Sequence, residues 1–261
     1  MKEGLFEWHW KQSEIDYCLF TKNGILLIVY VDHAILISLH KDLIDTKIKY
    51  LQEDYVLTDD GELMHHLGTR FRKHSDRSIE FSQPRMIERV LETVLLDDVS
   101  DCTNMHDTPA VNTELIDNDP DGAPHLQLWN YHSIVGTLSY LQAMVFPDIT
   151  FAVQKCARLC NNTLQQHEEA VKRICCYLLR TKNKGLIIKP DKYHGLECFV
   201  NADWAGPWKD RSSNDPSSAH SRYGYVIMYA GCPIIWASNM HYLILLRTTE
   251  AEYIALSSSL H

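Results

Sequence analysis

A polar pair, Asp32 and His33, interrupts an apolar stretch that runs from Ile25 to Leu39. Aspartate is a common turn residue, and without further context a simple turn is the better interpretation of Asp32. Asp-His is not a favoured two-residue turn, however, so turn propensity alone does not explain the pair. The pair is therefore a candidate functional motif at the tip of a hairpin.

A zinc site is the first alternative chemistry for the histidines and cysteines. His33 could bind zinc with His65, His66 or a cysteine, but no ligand spacing supports such a site. Cys156 and Cys160 are one helical turn apart, yet no second pair completes four ligands. Two thiols packed in the core are the favoured interpretation of these cysteines.

Phosphate binding is the chemistry that the basic stretch between residues 172 and 192 suggests. Its nucleic-acid candidates are Lys172, Arg173, Lys182, Lys184 and Lys189. A solvated helix face is at least as probable, because the chain has a formal net charge of -9. That charge also argues against the whole molecule being an electrostatic binder of nucleic acid.

The elements that position the Asp32–His33 pair come from the first part of the chain. Two apolar runs predict a β-hairpin over residues 25–39, and helical spacing predicts a helix over 42–55. A second hairpin is predicted over 63–81, followed by a helix over 84–96 that Ser82 caps.

An acidic linker and a helical region follow. Residues 97–126 contain prolines and aspartates without a lysine or arginine, which predicts a solvated linker. Apolar periodicity then predicts helices over 131–144, 149–160 and 165–181.

The last region reads as a sheet and a helix. Strands are predicted over 196–204, 223–229 and 233–238, with a very short fourth strand over 243–246. Thr248 begins a helix.

Composition limits the class of protein. The 261 residues are 45% hydrophobic and 23% charged, which is ordinary for a globular chain with a buried core. No apolar run approaches a membrane span, and the first residues do not resemble a signal peptide. We therefore expect a cytoplasmic or nuclear protein that is not secreted, with no membrane partner and with its eight cysteines reduced.

Eight collinear motifs resemble the Pol polyprotein of copia-type LTR retrotransposons, from the reverse-transcriptase palm through the connection into RNase H. They cover nearly the whole chain in the order of the family: residues 13–22 (SEIDYCLFTK), 25–32 (ILLIVYVD), 67–68 (LG), 133–141 (SIVGTLSYL), 147–153 (PDITFAV), 167–173 (HEEAVKR), 202–206 (ADWAG) and 249–253 (TEAEY). Any one of them would carry little weight, but the ordered set is specific.

The resemblance implies an α+β fold in four parts. These are a partial reverse-transcriptase palm and thumb-like region over 1–98, an acidic proline-containing linker over 99–127, a helical connection over 128–195, and a truncated RNase H-like mixed sheet over 196–261. The first strand of that sheet is expected to be an exposed edge.

The same resemblance implies two reactions, RNA-directed DNA synthesis and cleavage of RNA in an RNA/DNA hybrid. Each uses carboxylates that hold a pair of magnesium (or manganese) ions. In the palm, Asp32 matches the first of two tip carboxylates, while His33 replaces the second, and the third is expected upstream of this chain. Neutral imidazole is a poor ligand for a hard cation.

The RNase H motif is also degenerate. Asn201 matches a catalytic aspartate but carries no charge, Asp203 is a weaker candidate, and Glu252 matches the helix carboxylate. Asp32, Asp203 and Glu252 are thus remnant metal ligands. We expect a catalytically inactive Pol fragment that binds an RNA/DNA hybrid weakly if at all. The alternatives are a retained non-catalytic module that binds hybrids or subunits, and an active enzyme of which this chain is one piece.

Overall fold

Antiparallel strands and helices come in separate groups along the chain, which confirms the predicted α+β class. The computed structural model describes residues 2–94, 102, 107–110, 115, 122–206 and 219–260. These residues form two compact units, Met1–Leu63 and Met64–His261. The four-part domain division given above stays a prediction.

The first unit is a four-stranded sheet with two helices. Its elements are α1 (Lys2–Glu7), β1 (Lys11–Gln12), β2 (Leu19–Lys22), β3 (Ile25–Tyr30), β4 (His33–Ser38) and α2 (Lys41–Asp54). The strands lie in the order β1-β2-β3-β4, and every neighbouring pair is antiparallel. Leu27 of the central β3 and Phe20 of β2 lie in a small core with Leu51 of α2. The predicted hairpin and helix are confirmed.

The second unit begins with β5 (His65–His66), β6 (Thr69–Lys73), β7 (Ile79–Ser82) and α3 (Pro84–Thr93). Ser82 does not cap α3, contrary to the prediction, because it is the last residue of β7. Its buried Oγ instead accepts a hydrogen bond from Arg70 Nε at 3.3 Å. Gln83 occupies the N-cap position without a side-chain cap. Residues 95 and 96 of the predicted helix lie outside the described residues.

Three helices form the main core of this unit. They are α4 (Tyr131–Met144), α5 (Thr150–Ala157) and α6 (Gln165–Thr181), and a 3-10 turn over Pro147–Ile149 precedes α5. Leu138, Ile174 and Leu178 are fully buried where these helices pack with α3. The helix bounds predicted from apolar periodicity agree with α4 and α6 at both ends. A short strand, β8 (Leu186–Ile188), follows α6 and pairs with β7.

The last sheet contains β9 (Leu196–Asp203), β10 (Arg222–Tyr229) and β11 (Cys232–Met240), and α7 (Thr248–Ser259) follows. The order β11-β10-β9 places β9 at an edge, as predicted. Both pairings are antiparallel, so the prediction of a mixed sheet is wrong for the strands that the structure describes. The predicted short strand over 243–246 does not form.

The predicted linker and the predicted thiols need a further correction. Cys102 and Cys176 form a disulfide, with their Cα atoms 5.6 Å apart, although all cysteines were expected to be reduced. Ala110 and Leu115 are partly buried against the helical core, so the acidic stretch is not solvated throughout. Most of the remainder of residues 97–121 lies outside the described residues. Within the part of the chain that is described, no helix is long and apolar enough to cross a bilayer.

Candidate functional site

The first candidate centre is the tip of the β3–β4 hairpin. Tyr30 pairs with His33 as the last rung of the ladder, so Val31 and Asp32 form the turn. The prediction had placed the turn one residue later, at Asp32 and His33. Asp32 therefore lies in the turn itself, and His33 begins β4.

The backbone at this tip is strained. Val31 has a φ of +52°, and its side chain is 86% exposed, so it gains nothing from packing. A β-branched residue in the left-handed region is a genuine outlier and costs about 1–2 kcal/mol. Strain of this kind clusters at functional sites, which directs attention to the neighbouring carboxylate.

The charged groups at the tip are Asp32 and His33. His33 Nε2 lies 3.7 Å from Asp32 Oδ1, and both side chains are well exposed. In the residues that the structure covers, no three histidine, cysteine, aspartate or glutamate side chains meet in a way that could hold a metal ion. Asp32 thus has an imidazole beside it, where magnesium would need a second oxygen ligand.

The second candidate centre is the end of β9. Asn201 lies opposite Gly224, and Asp203 lies opposite Arg222 of β10. The guanidinium of Arg222 is buried and donates to Ser238 O and Oγ, each at 3.2 Å. Burial lowers the pKa of Arg222 to about 10, and the charge of Asp203 opposes that shift.

The carboxylate of Asp203 is also involved in the turn that follows β9. A Cβ atom at Gly206 would collide with the Asp203 carboxylate, so the two residues approach closely. Arg222 and the turn therefore account for the surroundings of Asp203 without a metal ion.

Glu252 lies on α7, which packs against β9 on one face of the sheet. Cys198 Sγ contacts Ser259 Oγ of α7 at 3.6 Å, so the α7 side of β9 is the side of Cys198. Because side chains alternate along a strand, Asn201 and Asp203 point to the opposite face. The structure does not assemble Asp203 and Glu252 into a metal-binding cluster of the described residues.

The interpretation of Cys156 as a core thiol is consistent with the structure. Burial raises the pKa of the Cys156 thiol to about 12, so it is protonated at neutral pH and is a poor metal ligand. Cys156 also lies in the main hydrophobic core, where its carbonyl accepts a hydrogen bond from the Tyr131 hydroxyl at 3.0 Å.

Two of the five basic candidates have protein partners. Lys189 Nζ lies 2.9 Å from Asp76 Oδ2, and this hydrogen bond helps to hold the pKa of Asp76 well below its usual range. Arg173 donates from Nε to Thr108 O at 3.1 Å and from Nη2 to Thr108 Oγ1 at 2.8 Å. The charged groups of Lys189 and Arg173 therefore already bind oxygens of the chain itself.

The remaining three candidates are Lys172 on α6, Lys182 at its C-cap, and Lys184 in the following loop. Among the described residues, none of these three ammonium groups forms an ion pair within 4.0 Å. These three candidates are therefore the ones whose ammonium groups have no such competitor for an external phosphate.

Sequence reasoning missed two features of these sites. No propensity predicts a valine at positive φ, and the signal available was only that the turn sequence is unfavourable. The Cys102–Cys176 disulfide joins residues 74 positions apart, and nothing in the local sequence of either cysteine announces it.

Comparisons with known proteins identify the class. The chain is 28% identical over 247 residues to the Retrovirus-related Pol polyprotein from transposon RE1 of Arabidopsis thaliana, covering 91% of this chain and 15% of that protein. It is 30% identical over 267 residues to the corresponding polyprotein from transposon TNT 1-94 of Nicotiana tabacum, covering 94% of this chain and 18% of that protein. No protein-family model and no solved structure matches the chain.

These similarities extend over nine tenths of the chain. The chain is similar to a segment of the Pol polyproteins of copia-type retrotransposons, which confirms the family predicted from sequence. It spans less than a fifth of the length of these relatives. An uncharacterized mitochondrial protein of Arabidopsis thaliana is also 28% identical, and the match covers 88% of this chain and 90% of that protein.

Proposed function

We propose that the chain is a Pol segment derived from a reverse-transcriptase palm and an RNase H domain, and that it catalyses neither reaction. The main observation in support of this proposal is that no three acidic or metal-ligating side chains converge in the described residues. Each reaction needs several carboxylates around two divalent cations. Residues 1–98 correspond to the palm and thumb-like region in this proposal, and residues 196–261 correspond to RNase H.

The hairpin tip supports the palm assignment and also its inactivity. The strained Val31 lies beside Asp32 at an exposed tip, and strain of this kind clusters at functional sites. His33 occupies the adjacent position, and its imidazole cannot supply the anionic oxygen that magnesium prefers. Magnesium therefore does not fit the residues present at this tip.

The end of β9 supports inactivity of the nuclease. Asn201 is neutral, Asp203 lies opposite a cation, and Glu252 lies on a helix at the other face of the sheet. The donor set does not fit a pair of magnesium ions, because a single carboxylate offsets too little of their charge.

Primer extension and hybrid cleavage by the purified chain test this proposal. Both assays contain magnesium or manganese, and the Asp32→Ala and Glu252→Ala variants define the background. We expect the chain to give no more product than these variants. Turnover that is present in the chain and lost in either variant would refute inactivity.

A second function, binding of an RNA/DNA hybrid without chemistry, is favoured by the position of Lys172, Lys182 and Lys184. All three lie at α6 or immediately after it, and none has an ion-pair partner among the described residues. Lysines free of protein partners can replace the counterions that surround nucleic acid.

Fluorescence anisotropy of a labelled hybrid tests this second function. The double variant Lys182→Gln/Lys184→Gln should weaken binding severalfold at 50 mM salt and reduce the salt slope by about 2. Lys41→Gln/Lys49→Gln, which removes two exposed lysines of α2, is the matched control and should leave binding unchanged. Equal weakening by the control would show that only net charge matters.

A further inference from the structure

One stripe of α6 combines two arginines with a cystine. Arg173, Cys176 and Arg180 are separated by three and four residues, a spacing that places them on the same side of a helix. Three residues from the predicted linker, Cys102, Asp107 and Thr108, contact this stripe. We call these three the covering residues.

Each member of the stripe is engaged by a different covering residue. Cys176 is bonded to Cys102, and Arg180 Nη1 lies 2.9 Å from Asp107 Oδ1. The guanidinium of Arg173 donates to both the carbonyl and the hydroxyl of Thr108. A carboxylate and two neutral oxygens thus occupy donors that would otherwise suit the oxygens of a phosphate.

Ionic attraction alone does not hold these contacts. The Asp107 side chain is 90% exposed and that of Arg180 is 39% exposed, and ion pairs this open to solvent are weak. A covalent link instead keeps the covering residues at a high effective concentration beside the helix. The disulfide and the nearby packing of Ala110 against the helical core therefore both hold the covering residues, and the disulfide is the one of the two that a reductant can remove.

We propose that the covering residues mask Arg173 and Arg180 from the phosphates of an RNA/DNA hybrid, and that reduction of Cys102–Cys176 unmasks them. A dithiol reductant donates two electrons and two protons, so the S–S bond breaks, two cysteine thiols form, and the reductant becomes a disulfide. This inference rests on the proposed binding of a hybrid at α6, and it makes that binding dependent on redox state.

Hybrid anisotropy with and without dithiothreitol, the dithiol, tests the inference on the purified chain. Peptide mapping first establishes the Cys102–Cys176 crosslink in the unreduced protein. Reduction should tighten binding about threefold to tenfold at 50 mM salt and steepen the salt slope by about 2, one for each released arginine. Cys102→Ser should bind at the reduced level with or without dithiothreitol, whereas Cys18→Ser, which removes an exposed free thiol, should keep the response.

Two further measurements separate this inference from the binding function on which it rests. Arg173→Gln/Arg180→Gln should abolish the gain on reduction but keep the binding that Lys182 and Lys184 provide. Phenylglyoxal labelling of Arg173 and Arg180, read by mass spectrometry, should increase on reduction even without nucleic acid.

The possible failures are distinct. Binding and labelling that are the same in both redox states, or a missing crosslink, overturn the inference and leave the binding function intact. Increased labelling without any hybrid binding overturns both the binding function and the proposed partner of the unmasked arginines.

Discussion

Two turns of the same sheet differ in how well their residues suit their backbone. The β2–β3 turn is Asn23-Gly24, with φ values of +49° and +77°, and Asn-Gly is the pair that such a hairpin turn favours. The β3–β4 turn is Val31-Asp32, where a β-branched residue adopts a φ of +52°. Both turns flank β3, so the strand alone does not explain the difference.

The comparison shows where local chemistry and structure disagree. Agreement at Asn23-Gly24 is what a sequence selected only for folding would show. Disagreement at Val31-Asp32 is expected where a residue serves a site rather than the fold. The strained turn carries the candidate carboxylate, and the unstrained turn carries none.

The largest effect should come from the strand that both turns share. Leu27 of β3 is 2% exposed, so Leu27→Ala should destabilise this unit by about 2–4 kcal/mol through lost burial and a cavity. Hydrogen exchange of amides in residues 19–38 would report the loss. Leu26→Ala, at a neighbouring position that is 41% exposed, is the control, and equal losses would contradict the burial argument.

A valine at the favourable turn should give the next largest effect. Asn23→Val places at the favourable turn the residue type of the strained one, and it should destabilise the hairpin by about 1–2 kcal/mol. Hydrogen exchange of the amides in residues 19–38 measures this loss of stability. A neutral result would show that valine at this φ carries no penalty here, and the contrast between the two turns would then disappear.

The opposite substitution, at the strained turn, should stabilise the hairpin. Val31→Asn replaces a β-branched residue by one that tolerates the left-handed region, so the free energy of unfolding should rise by about 1 kcal/mol. Slower amide exchange in β3 and β4 would show it. Val31→Ile keeps the branching and serves as the control, and it should leave the exchange rates unchanged.

Apolar periodicity was sufficient to predict the helices of the core. The bounds of α4 and α6 follow from their sequences because each helix buries a regular stripe, including Leu138 and Ile174, that only a helix could align. The family followed from the order of the motifs. These features depend on many residues together, so one unusual position does not obscure them.

Features that depend on a single tertiary contact were not predictable. Ser82 has the residue type of a helix cap, yet pairing of β7 with β6 places it opposite Arg70, and its Oγ accepts a hydrogen bond from Arg70 Nε. The linker composition is typical of solvated chain, yet Cys102 attaches it to α6. At the candidate sites, the sequence was sufficient to identify Asp32, His33 and Asn201 as motif positions. The strain at Val31 was visible only in the backbone conformation.

The smallest expected effect concerns metal affinity at the strained tip. His33→Asp places a second carboxylate beside Asp32, and two adjacent anionic oxygens should bind Tb³⁺, a luminescent substitute for the divalent ion, about threefold to tenfold more tightly than one. Tyrosine-sensitised luminescence would measure the change, with Tyr30 as the nearby donor. His33→Asn has no charge and should give no gain, and Asp32→Asn/His33→Asp should return affinity to that of the unaltered chain. If His33→Asp binds no more tightly, the strained tip does not present its carboxylates to a metal, and its difference from the Asn23-Gly24 turn needs a cause other than a former ion site.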